Sequence, residues 1–147
     1  YKSSNTKVAV VDKNGKVTVK AVGNAKITIS AASSSNYNAA SKTVTIKVTK
    51  PAPTIKVKTT SATVKYANLK KKAQTAALGA SVNSKGTLSY QKVSGSSVVT
   101  VNAKTGVLSV RKGAKKGTYK VTVRVKAAAK GNYNAGTKNV TVTIRVK

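Results

Sequence analysis

The chain contains no cysteine, histidine, tryptophan, phenylalanine or methionine, and its only acidic side chain is Asp12. Each absence removes a class of chemistry. Without histidine or a second carboxylate there is neither a paired general acid and base nor a histidine-centred nucleophilic triad. A zinc site lacks both of its usual ligand types, and a calcium site has one carboxylate to draw on. No catalytic residue, metal site or cofactor is therefore expected. Zero cysteine leaves no disulfide framework. No run approaches the ~18–20 consecutive apolar residues of a membrane span. Tyr1-Lys2-Ser3-Ser4-Asn5 lacks the pattern of a signal peptide. With no initiating Met, the chain is expected to be an internal or mature piece of something longer. Its 147 residues allow one full domain and part of another. Hydrophobic residues make up 39%, below the usual ~45–50%, so any core is built from Val, Ile, Ala, Leu and the six tyrosines.

What is present is alternation with a period of two. Val140, Val142, Ile144 and Val146 alternate with Thr141, Thr143, Arg145 and Lys147; Tyr119, Val121, Val123 and Val125 alternate with Lys120, Thr122, Arg124 and Lys126. Shorter runs of the same kind are Ile27-Thr28-Ile29, Val44 to Val48, Ile55 to Lys58 and Val64-Lys65-Tyr66. Such runs place one face of each strand on a core and the other in water. Ala73–Leu78 comes nearest to a helical stripe and is too short for one. The expectation is an all-β chain. Asp12-Lys13-Asn14-Gly15, between Val10-Val11 and Val17-Val19, reads as a tight hairpin turn with Asn-Gly supplying the positive-φ positions. Asn102 to Gly106 reads as the same turn one residue longer. Asp12 is thus a turn-forming side chain bonded to nearby backbone.

These turns belong to a longer internal repeat. Tyr1–Lys50 parallels Tyr90–Lys147: Tyr1 corresponds to Tyr90, Asp12 to Asn102, Asn36-Tyr37-Asn38-Ala39 to Asn132-Tyr133-Asn134-Ala135, and Thr43-Val44-Thr45-Ile46 to Asn139-Val140-Thr141-Val142. Residues 54–89 have no counterpart ahead of Tyr1. The expected organisation is a C-terminal half-repeat over residues 1–50, a stiff Pro-containing linker over 51–53, and a complete repeat over 54–147. A half-sandwich exposes unpaired strand edges, so self-association or strand complementation of residues 1–50 is expected. Tyr37 and Tyr133, at equivalent places, are expected to pack where a strand begins.

The run Ser4 to Val17, with Gly23 and Lys26-Ile27-Thr28-Ile29, and the ending Asn36-Tyr37-Asn38-Ala39-Ala40-Ser41-Lys42-Thr43-Val44-Thr45-Ile46, resemble the bacterial Ig-like (Big-type) repeats. The resemblance covers both copies and implies tandem immunoglobulin-like β-sandwiches of roughly seven strands each, the first incomplete at its N-terminus. It further implies an exported, cell-surface or wall-attached protein of a Gram-positive bacterium, with no catalytic residues to carry over.

Charge is where the chain departs from that family. It carries 26 Lys and three Arg against one Asp, a formal net charge of +28. A solvated surface normally mixes signs, and self-repulsion on this scale is tolerated where counter-charge is supplied. The partner expected is an anionic cell-wall polymer or acidic glycan, and the candidate polyanion-contact residues are the denser groups Lys70, Lys71 and Lys72, and Arg111, Lys112, Lys115 and Lys116. Preference for Lys over Arg points to diffuse attraction, since Arg is favoured for bidentate recognition. Nucleic acid is expected to bind only non-specifically: the charge fits, but no recognition helix or stacking platform is present. Ser4-Asn5-Thr6-Lys7, Ser34-Ser35-Asn36 and Lys104-Thr105-Gly106 match the pattern of penicillin-binding enzymes in order. They fall in strands and turns of a short all-β chain rich in Ser, Thr, Lys and Asn, where chance matches arise. The reading is a non-catalytic cationic structural and adhesive module, with a passive spacer or self-assembling filament subunit as the alternative.

Overall fold

The computed structural model describes residues 1–147, which form two compact units, Tyr1–Lys50 and Pro51–Lys147. The first contains β1 (Lys2–Ser3), β2 (Ala9–Val11), β3 (Val17–Val19), β4 (Gly23–Ala31) and β5 (Ala40–Val48). The second contains β6 (Ile55–Val57), β7 (Ser61–Val64), α1 (Tyr66–Lys71), β8 (Gln74–Ala77), β9 (Ala80–Val82), β10 (Leu88–Gly95), β11 (Val99–Val101), β12 (Val107–Val110), β13 (Gly117–Ala127) and β14 (Gly136–Val146). The all-β expectation holds, with one short helix added.

In the second unit, alternation becomes burial. Val121, Val123 and Val125 of β13 are fully buried, as are Val142 and Ile144 of β14, and each strand's intervening residues face outward. β13 lies between β10 and β14, and β7 completes this sheet by pairing in parallel with β14. A second sheet, β11-β12-β8, supplies Val99, Leu108 and Val110 to the same core, and Leu69 and Leu78 fill it out. Small β-branched side chains pack here because strands hold them in few rotamers on a pleated surface. The core of the first unit is much smaller: Val8, Ala9 and Ala25, with Val48 packed against them.

One segment differs from the sequence reading. Val64-Lys65-Tyr66 does not continue as a strand; β7 ends at Val64, and Tyr66 opens α1. A six-residue helix is too short to show periodicity, and such a helix is held by tertiary contacts more than by propensity. Its Leu69 is fully buried, and the Tyr66 amide donates to the Lys147 carbonyl. Ala73–Leu78, read as too short for a helix, indeed forms none and contains β8, which pairs with β12. Pairing with an existing strand outweighs the weak helical preference of its alanines.

The two units share local devices. The Asp12 carboxylate accepts the amides of Asn14 and Lys16, both at 2.9 Å; the Asn102 side-chain oxygen accepts those of Lys104 and Thr105, at 3.0 and 2.9 Å. In each turn it is the glycine alone that takes positive φ, Gly15 at +82° and Gly106 at +69°. The Asn-Gly hairpin expected at Asn14-Gly15 thus needs only one left-handed residue. A tyrosine ring lies on each glycine: a Cβ added at Gly15 would meet Tyr1 at 2.9 Å, and one at Gly106 would meet Tyr90 at 2.5 Å. The correspondence of Tyr1 with Tyr90 is therefore also one of packing.

Gly106→Ala is expected to destabilise the protein by at least about 2 kcal/mol, combining the left-handed backbone cost with overpacking against a buried ring. Gly113 also has positive φ, but open space lies around its missing Cβ. Gly113→Ala therefore incurs only the backbone cost and should sit above Gly106→Ala in urea melts. Burial also raises the Tyr90 phenol above its ordinary ionisation range. A raised acid pKa means the unfolded chain loses this proton first, so the stability is intact below about pH 10 and lost as pH climbs through the folded value. The difference in unfolding free energy between the protein and Tyr90→Phe should be flat below that pH and move in favour of Phe above it; the comparison cancels the titration of the lysines.

Candidate cationic patch

The two lysine-rich groups, about forty positions apart in the sequence, meet in the second unit. The first lies on α1 and its end: Lys70 and Lys71 occupy the last helical turn and Lys72 the C-cap. Cations there complement the carbonyl end of the helix. The second group is the loop between β12 and β13, which is held at four points. The Arg111 amide donates to the Val98 carbonyl at 3.0 Å, and the Gly113 amide to the Leu69 carbonyl at 2.9 Å. Ala114 is buried in the core, and the Tyr119 hydroxyl donates to the Lys115 carbonyl at 2.8 Å. The Gly113–Leu69 bond ties the loop directly to the helix.

At the junction lies Tyr66. The Lys70 Nζ is 5.2 Å from its ring centroid and the Lys116 Nζ 5.9 Å, both within reach of the ring's electrostatic attraction for cations. One aromatic ring thus gathers an ammonium from each group. Lys71, Lys72, Arg111, Lys112 and Lys115 are exposed. The second unit has no Asp or Glu, so no ion pair satisfies any of these seven cations. Such a surface attracts anions in proportion to their charge.

Tyr66 was not among the expected contact residues. Its spacing of four from Lys70 would place both on one helical face, but that signal can be used only once the helix is known. Other lysines have structural roles: the Lys92 ammonium donates to the carbonyls of Ser96 and Val99, and that of Lys138 to Ile55. Tyr37 does not pack as expected, since it is 78% exposed; it and Tyr133 instead close backbone bridges, to Ser34 and Lys130 respectively. The residues of the enzyme-like triplet have hairpin roles. The Ser4 hydroxyl accepts the Lys26 amide, and the Lys104 and Thr105 amides bind Asn102. No helix is long and apolar enough to cross a membrane.

Residues 1–33 match the family described as intimin, immunoglobulin-like domain, which covers less than a quarter of the chain. No curated protein sequence matches. Among solved structures, human protocadherin-24 EC1-2 superposes with a TM-score of 0.51 at 16% identity, covering 98% of this chain and 78% of that one. Drosophila N-cadherin EC1-4 superposes at 0.50 and 15% identity, covering 99% of this chain. The chain spans only 40% of that N-cadherin chain. At these identities the likeness is one of fold, and the fold class is the immunoglobulin-like β-sandwich.

Unpaired like charges at this density should make stability depend on salt. Raising ionic strength from about 0.01 to 0.1 M shortens the screening length from about 30 to 10 Å, and the melting temperature is expected to rise. Lys71→Gln/Lys112→Gln/Lys115→Gln, which spares the ammonium groups at Tyr66, should melt higher at low salt and converge with the parent at high salt. Equal salt dependence in both proteins would show that the patch is not under electrostatic strain.

Proposed function

We propose that the chain is a non-catalytic structural and adhesive module of an exported bacterial surface protein, and that it binds anionic wall or surface polymers through diffuse lysine electrostatics. The observation that carries this reading is the junction at Tyr66, where an ammonium from each of the two lysine-rich groups approaches one ring in a unit with no Asp or Glu. The Ig-like fold supports a structural or adhesive role, and the intimin-domain match over residues 1–33 supports a bacterial surface setting. The finer assignment, a Big-type tandem array of a Gram-positive wall protein, rests on the sequence resemblance and on the turn, tyrosine and glycine devices common to the two units. Within that assignment residues 1–50 are part of one repeat, 51–53 the linker and 54–147 a whole repeat. Nucleic acid is bound only non-specifically, as any polyanion would be.

Co-sedimentation with purified Gram-positive cell walls tests the proposal, before and after removal of teichoic acid and across a salt series. The protein should pellet with intact walls, lose that on polymer removal, and release steeply as salt rises, because each contact displaces counterions. Lys70→Gln/Lys71→Gln/Lys72→Gln should weaken binding on the order of 100-fold, taking about 1 kcal/mol per lysine at an anionic surface. Failure to pellet at physiological salt would overturn the reading.

A further inference from the structure

The side of the β13–β14 hairpin turned away from the core carries its cations in a regular order. Opposed residues on this side recur at every second position, about 6.8 Å apart along the strands. Towards the hairpin loop the rows are Lys126–Thr137 and Arg124–Asn139. Towards the far end they are Lys120–Thr143 and Thr118–Arg145. Each of these rows pairs one cation with one hydroxyl or amide. The middle row is Thr122–Thr141, whose hydroxyls lie 3.3 Å apart. All of these side chains are exposed or half-buried, whereas Val121, Val123, Val142 and Ile144 between them are fully buried.

Three features set this face apart from an ordinary solvated strand surface. Arg124 is held in place, since its Nε donates to the Asn139 side-chain oxygen at 3.3 Å. Its remaining N–H groups keep the planar geometry that takes an anion at two points. In the middle row the two threonines share one hydroxyl proton between them, which leaves the other to donate outward. The rows contain no aromatic or acidic side chain, and the β10 residues beside them are Ser89, Gln91 and Ser94. The ladder also leads to the Tyr66 junction: β13 follows directly on the loop with Lys115 and Lys116, and the Lys147 carbonyl just after β14 accepts the Tyr66 amide.

We propose that this ladder binds a linear phosphodiester polymer with three-carbon polyol spacers, laid along the hairpin with one phosphate to each row. Such a polymer has six backbone bonds from one phosphorus to the next, as many as two residues of a polypeptide. Its extended repeat is therefore about 6.8 Å and stays in step with the rows. Polymers with adjacent phosphates or longer spacers fall out of step. Lys126, Lys120 and Arg145 pair with phosphates by charge, Arg124 by two parallel hydrogen bonds, and the Thr122–Thr141 hydroxyls bind the middle phosphate. A nucleic-acid strand also has six backbone bonds per phosphate, but its bases need aromatic platforms, and the rows have none. The inference rests on the reading of the partner as a polyanion, and adds a site that selects spacing as well as charge.

The test titrates the full-length ¹⁵N-labelled chain in about 150 mM salt with four probes of equal phosphate number: 1,3-linked oligo(glycerol phosphate), 1,5-linked oligo(ribitol phosphate), linear polyphosphate and oligo(dT). Oligo(glycerol phosphate) should bind at least about fivefold tighter than each of the others, with the largest amide shifts at Lys120–Arg124 and Asn139–Thr143. Arg124→Lys and Thr122→Val/Thr141→Val leave the net charge at +28. Each should weaken oligo(glycerol phosphate) about threefold or more and leave polyphosphate affinity unchanged. Unchanged oligo(glycerol phosphate) affinity in both variants would overturn the ladder. So would tightest binding of polyphosphate, the probe of densest charge, with shifts spread over the lysines; diffuse attraction would then be the whole mode. Tightest binding of oligo(dT) would overturn it by making nucleic acid the occupant. No response to any probe up to about 1 mM would overturn both the ladder and the polyanion reading beneath it.

Discussion

The long β13–β14 hairpin is the constraint on which the second unit depends. It presents one continuous row of β-branched side chains to the core and offers both outer edges to other strands. With no Phe, Met or Trp to bridge gaps, close packing must come from many small side chains held in register. A one-residue slip would turn the whole row outward. β10 fixes the hairpin on one side and β7 on the other. The helix serves the same core, to which it adds the fully buried Leu69. The first unit has the corresponding hairpin in β4–β5, on which Ile29 and Val44 are part-exposed.

Charge imposes a second constraint, largely separate from the fold. Lysine suits the outward positions of strands because its long stem lies over apolar surface while its ammonium stays in water. It also discourages edge-to-edge pairing. Those local uses account for lysines spread along strands, and Lys92 and Lys138 show that some serve as donors to backbone carbonyls. They do not account for two lysine-rich groups brought together at one tyrosine by a loop anchored to a helix. That arrangement concentrates positive potential at one place on a molecule that has almost nothing with which to offset it.

Much of the fold was legible because its signals are local. Alternation marked β13, β14, β4 and β5, and the Asp12 and Asn102 turns fell where side-chain capping of a hairpin was expected. The internal repeat matched Tyr1 with Tyr90 before either ring was known to lie on a glycine. The short helix was missed, since six residues carry too little periodicity to show, and β8 was not singled out as a strand for the same reason. Both lysine groups were picked out by density alone. Their meeting at Tyr66 was not visible, because it depends on a hydrogen bond between Gly113 and Leu69, residues far apart in the chain.

By itself, the amino-acid sequence determined which chemical groups are missing, the all-β character, the hairpin turns and the sign of the protein's own charge. All of these follow from side-chain identity and short-range spacing. Tertiary structure alone decided which lysines share a surface, which lysines bind backbone instead of facing solvent, and which hairpin edge is covered. Each of those depends on chain segments distant in sequence coming into contact, and the energy of such contacts is set by packing and backbone pairing that no local pattern encodes.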